Sequence, residues 1–154
     1  MSYSTIVVGT DGSDYALDAV RRAAELSSTN SALLVVVCAY SALTAREQAV
    51  LNTSFADARL ERARGAAAPE AAVDAAAGHA HRSGAVGVAG VLVDGDPATA
   101  LLTAASERAA DLVVVGNRGL NTLSGRLLGS VAAAVSRRAT CDVLVVHTAH
   151  DRHG

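Results

Sequence analysis

Gly116, Gly119, Gly129 and Ser130 are spaced Gly-x2-Gly-x9-Gly-Ser, and a set of this kind can hold a phosphate. Glycines keep Cβ atoms out of the way of an approaching anion, and the first N–H groups of a helix have no partner inside it and point outward. An apolar run, Asp111-Leu112-Val113-Val114-Val115, precedes the set, and an alanine-rich stretch from Val131 to Arg138 follows it. The expectation is a strand, a glycine-punctuated loop and a helix start. The Ser130 hydroxyl can bind a phosphate oxygen or cap the helix, and Arg118 and Arg126 inside the loop can neutralise phosphate charge or face solvent. A second tip, Gly9-Thr10-Asp11-Gly12-Ser13, carries one carboxylate. Asp11 can accept from ribose hydroxyls, approach a phosphate-bound divalent ion such as magnesium, or serve as a turn residue or cap for the next helix.

These groups need a frame that brings them together. Five apolar runs recur, at Thr5 to Gly9, Ala32 to Ala39, Val86 to Val93, Asp111 to Val115 and Asp142 to His147. Most are continuous rather than alternating, the pattern of strands buried on both faces of a parallel sheet. Helices are expected between them. The first covers Asp14 to Ser27, with Ala16, Ala19, Val20, Ala23, Ala24 and Leu26 on its apolar side. The second runs from Pro69 to about Arg82 with Gly84 as its stop, and the third from Ala98 to Ala109 behind Pro97 and an Asp96 cap. The fourth is Val131 to Arg138. This alternation predicts a doubly wound α/β domain with right-handed crossovers. In such a sheet ligands bind beyond the carboxyl ends of the strands, where the strand order reverses. If the first and fourth strands are neighbours, Asp11 and the glycine loop face one crevice. The segment from Ser41 to Ala68 is long for a connection and is expected to form a lid-like flap or an insertion without function. Residues from about 149 to 154 are expected to be a frayed tail, and residues 1–154 a single domain.

The full spacing Gly-x2-Gly-x9-Gly-Ser, with Val113-Val114-Val115-Gly116, Gly9-Thr10-Asp11-Gly12-Ser13 and Cys141-Asp142-Val143-Leu144-Val145-Val146, resembles the universal stress protein family over about residues 3 to 148. The resemblance implies an open five-stranded parallel sheet in the order 3-2-1-4-5 with helices on both faces, a Rossmann-like architecture. It implies membership of the motif-bearing branch that binds ATP, with backbone near Ala39 against adenine. The nucleotide-contacting set would be Thr10, Asp11, Ala39, Gly116, Arg118, Gly119, Arg126, Gly129, Ser130 and Val131. Some members bind cyclic AMP or AMP, and the motif does not choose between these ligands. Asn117 stands where the family often has serine or threonine.

The bulk properties narrow the function further. Of 154 residues, 51% are hydrophobic and 18% charged, which is the composition of a globular chain. A net charge of −2, without a cationic block, argues against nucleic-acid and anionic-membrane binding. All thirteen basic residues are arginine, so a Walker-type loop and a Schiff-base lysine are both excluded. No nucleophile has an evident histidine and acid partner, so no catalytic residue is assigned; slow ATP hydrolysis or phosphotransfer is the alternative to a regulatory nucleotide binder in stress response. Cys38 and Cys141 form no Cys-x-x-Cys pair and read as small core residues. His79 and His81 are two apart and make poor joint metal ligands, and no protein-held metal is assigned. With no signal-peptide pattern or membrane-length apolar run, a cytoplasmic protein is expected. The fifth strand, Val143 to Val146, reads as an apolar sheet edge, which a homodimer would cover.

Overall fold

The computed structural model describes residues 2–40, 68–118 and 128–148. Residues 41–67, almost all of the expected flap, lie outside the described residues, as do Gly119, Arg126 and the tail from 149. The described chain alternates β1 (Thr5–Thr10), α1 (Asp14–Asn30), β2 (Leu33–Tyr40), α2 (Pro69–Arg82), β3 (Gly87–Asp94), α3 (Pro97–Glu107), β4 (Leu112–Gly116), α4 (Ser130–Arg138) and β5 (Asp142–Val146). All strand pairs are parallel and the sheet order is β3-β2-β1-β4-β5. The five strands and the order match the expectation. None of the described helices is long and apolar enough to cross a membrane.

The three central strands show why their sequences are continuously apolar. Successive strand residues point to opposite faces, and both faces are covered. Ile6, Val8, Leu34, Val36, Leu112 and Val114 pack under α1 and α2. Val7, Val35, Val37, Val113 and Val115 pack under α3 and α4. Alanines on the helices, such as Ala19, Ala23, Ala76, Ala104 and Ala132, let the helices sit close to the sheet. The edge strands depart from the continuous reading. From Gly90 onward β3 alternates between exposed and half-buried residues, and Val86, expected to open this strand, lies outside it and is largely exposed.

Helix ends follow local chemistry. Ser13 caps α1 by accepting from the Ala16 N–H at 3.2 Å, and Asp96 caps α3 by accepting from the Thr99 N–H at 3.1 Å. Pro69 opens α2, where a missing N–H costs nothing. The expected end of α1 needs correction. The α1 helix runs to Asn30 instead of stopping at Ser27, and the polar residues at its end continue it. Thr29 Oγ1 donates to the Glu25 carbonyl at 3.0 Å and Asn30 Nδ2 to the Leu26 carbonyl at 2.8 Å. Leu26, half-buried, packs against the core on the expected side, and Ser27 joins the buried face with its hydroxyl donating to the Ala24 carbonyl at 2.9 Å.

Candidate functional site

The crevice lies at the carboxyl end of the sheet, where β1 sits between β2 and β4 and the strand order reverses. Three strand exits meet there. Thr10 ends β1 in register with Cys38, and Ala39 and Tyr40 end β2. Gly116 ends β4 in register with Val146.

The first wall is the turn from β1 into α1. Thr10 is buried, and its Oγ1 accepts from the Gly12 N–H at 3.2 Å. Asp11 is exposed, and its Oδ1 accepts from both the N–H and the hydroxyl of Ser13. Gly12 has φ +84, in the left-handed region that suits glycine. Asp11 therefore builds the turn, while Ser13 takes the capping role. The negative charge of Asp11 reaches Cys38, whose thiol is pushed up by burial first and then by Asp11 and Glu70. Burial, Asp142 and Asp111 push the Cys141 thiol up as well. Thiols held protonated in this way are poor nucleophiles.

The second wall joins β4 to α4. Gly129 is the N-cap residue of α4, and Ser130 is the first helical residue, exposed and not a cap. Among the described residues no side chain caps this helix, and no proline opens it. Of its four N-terminal N–H groups, that of Gly129 donates to the Asn117 carbonyl at 2.8 Å. Ser130, Val131 and Ala132 supply the three remaining donors that have no partner within the helix. At Gly116 a Cβ would meet the Arg118 carbonyl and Thr148 Cγ2 at 3.4 Å, and the Tyr15 carbonyl at 3.9 Å. These are ordinary contacts, so the fold itself would accept a small side chain here. The Arg118 guanidinium lies 5.2 Å from the centre of the Tyr15 ring, a cation–π contact that joins the two walls.

Asn117, noted in the sequence as a departure from the family pattern and given no role there, ties β4 to β5. Its N–H donates to the Val146 carbonyl at 2.9 Å, and its Oδ1 accepts from the Thr148 N–H at 3.0 Å. Its Nδ2 lies 2.9 Å from Nδ1 of His147. The signal was present in kind, since asparagine just past a strand end is suited to bond nearby backbone. Its partners 30 and 31 positions away were not readable. Among the described residues no group of three or more His, Cys, Asp or Glu side chains is placed to hold a metal.

The comparisons with known proteins agree with this architecture. The sequence model of the universal stress protein family matches residues 2–147. Universal stress protein Rv1636 of Mycobacterium tuberculosis is 46% identical over 147 residues, covering 96% of this chain and 98% of the relative. A universal stress protein from Thermus aquaticus is 33% identical over 144 residues, covering 94% and 98%. Among solved structures, a universal stress protein in complex with cAMP has a TM-score of 0.74 and 40% identity, covering 97% of this chain and all of that one. The universal stress protein from Archaeoglobus fulgidus in complex with dAMP shares the fold, with a TM-score of 0.65 and 23% identity over 94% of this chain and 98% of that one. On this sheet order, this family match and these near-full-length relatives, the chain belongs to the universal stress protein family.

Proposed function

We infer that this protein binds an adenine nucleotide, with its phosphate on the start of α4 and its sugar and base reaching toward the exits of β1 and β2. One observation carries the reading. The α4 start opens without a proline, has no side-chain cap among the described residues, follows the glycine-punctuated stretch of sequence and stands at the strand-order reversal. The 40% identical relative in complex with cAMP supports the ligand class.

In finer detail, the ligand is ATP, with AMP and cyclic AMP as the alternatives. Ser130 and Val131 donate to phosphate from the helix start, with Gly116, Gly119 and Gly129 leaving room for it. Arg118 and Arg126 supply positive charge, Thr10 and Asp11 stand beside the sugar, and Ala39 lies against the base. Any magnesium would be carried by the phosphates with Asp11 as its nearby carboxylate. The protein is a cytoplasmic regulatory module in stress response, a single domain that pairs with a second copy through Val143 to Val146. Occupancy acts through the difference in affinity between two conformations, and the ligand can shift the balance only by that difference. The absence of lysine favours regulation over phosphoryl transfer.

Isothermal titration with ATP, AMP and cyclic AMP tests the reading. A dissociation constant in the micromolar range or tighter is expected for at least one of them, with binding lost in Gly116→Val and Gly129→Val. Flat titrations with all three ligands would overturn it. ADP release above background that vanishes in Ser130→Ala would move the protein to the enzyme class. Light scattering that shows only monomer at micromolar concentration would remove the dimer.

A further inference from the structure

The three bonds that Asn117 makes to the exit of β5 meet its one bond to the start of α4. Because Asn117 Oδ1 accepts from the Thr148 N–H, the amide nitrogen faces His147, and the His147 ring accepts there through Nδ1. The backbone carbonyl of the same residue receives the Gly129 N–H. One side chain and its peptide groups thus hold the β4 exit, the α4 start and the first two residues beyond β5. Thr148, held by this amide, is buried and lays its Cγ2 against Gly116.

We propose that Asn117 is the positioning residue of the phosphate cradle, setting the place of Gly129 and Thr148 together so that ligand at the α4 start is felt at the exit of β5. The inference rests on the nucleotide reading above. The physical reason is geometric. Among the described residues no side chain caps the cradle, so its N–H groups are aimed by what fixes Gly129, and the bond described there is to the carbonyl of Asn117, the residue fastened to β5. A helix start displaced by even a fraction of an ångström aims its donors away from the phosphate. Losing the amide leaves the Thr148 N–H without its acceptor and frees the segment against Gly116.

The test uses the full chain, cyclic AMP as the probe, and Asn117→Ala, with Asn117→Asp as the conservative control. Two quantities are read: calorimetric affinity, and amide hydrogen exchange at Thr148 with and without cyclic AMP. In the native protein cyclic AMP should slow exchange at Thr148. Asn117→Ala keeps the backbone bond to Gly129 and loses both side-chain bonds, and affinity should fall by about tenfold, the scale of one net hydrogen bond. Thr148 exchange should rise, and saturating ligand should no longer slow it. In Asn117→Asp, which keeps an oxygen for the Thr148 N–H, the ligand-free protection of Thr148 should remain. If Asn117→Ala does not fold, Asn117→Ser carries the same test, because its hydroxyl is too short to span both partners. A residue that merely stabilises the fold would lower the melting temperature and leave the ligand-induced slowing at Thr148 intact, and that result would overturn the proposal. If native protein binds none of cyclic AMP, ATP or AMP, the nucleotide reading falls and this one with it. If native protein binds and the alanine variant binds equally, only the role of Asn117 falls.

Discussion

The two walls of the crevice are built on different length scales. The turn from β1 into α1 is held by bonds that span two or three residues: Gly12 to Thr10, Ser13 to Asp11, Ala16 to Ser13. The wall from β4 into α4 is held by Asn117, whose side-chain partners lie 30 and 31 positions along the chain. The first wall is formed by the chemistry of its own short sequence and needs little from the rest of the fold. The second exists only once β5 has docked beside β4. A site with one self-contained wall and one borrowed wall can be biased from the borrowed side, because whatever shifts the exit of β5 also shifts the residues bonded to Asn117.

The largest expected effect comes from breaking the self-contained wall. Gly12→Val forces a β-branched residue into φ +84 and should cost about 1–3 kcal/mol of stability in urea unfolding. An unchanged midpoint would mean that the turn has another conformation available. On the borrowed wall, Thr148→Val asks a narrower question. The Thr148 Oγ1 is buried and has no hydrogen-bond partner among the described residues. Replacing it with a methyl group of similar shape should leave stability unchanged or raise it by up to about 1 kcal/mol. Destabilisation would show that the hydroxyl is bonded and that this wall has a further tie. The smallest effect is expected at the opposite end of the sheet, where another long-range clamp operates. Asp111 accepts from the Ser4 N–H at 2.9 Å and from the Thr5 N–H at 3.1 Å, and these bonds hold its carboxyl below the usual carboxylate range. With the folded value lowered, this contribution is fully present above the unfolded value of about 3.9 and is lost as pH falls through the folded value. Asp111→Asn should therefore flatten part of the acid dependence of the urea midpoint below about pH 4. An identical acid slope in native and variant protein would show that the clamp carries no linkage.

The same split explains which elements were legible. Ile6-Val7-Val8 and Val113-Val114-Val115 are apolar at every position because helices cover both faces, and that burial leaves its mark on the residues. The caps at Ser13 and Asp96 involve neighbours three residues away; the Asp96 cap was expected, and Ser13 was missed only because Asp11 competed for the role. The end of α1 was misplaced because Thr29 and Asn30, usually turn formers, turn their side chains back onto the preceding carbonyls. Ser130 was expected as a possible cap, yet the helix register puts Gly129 in that place. Asn117 gave no sign of its reach, since a single asparagine after a strand is compatible with many local bonds.

Sequence alone determined the strand and helix types, the glycine spacing between β4 and α4, the acidic tip at Asp11 and, through the family resemblance, the strand order. The element types and the glycine and acidic turns are written in patterns that local sterics and two-sided burial impose on consecutive residues; the strand order is not, and came with the resemblance alone. Only the tertiary structure decided that the Gly129 N–H is taken up by Asn117, that Arg118 lies over Tyr15, and that Thr148 closes against Gly116. Those contacts join residues brought together by parallel pairing of β4 with β5 and by α1 packing over β4, and no local preference at either partner specifies the other.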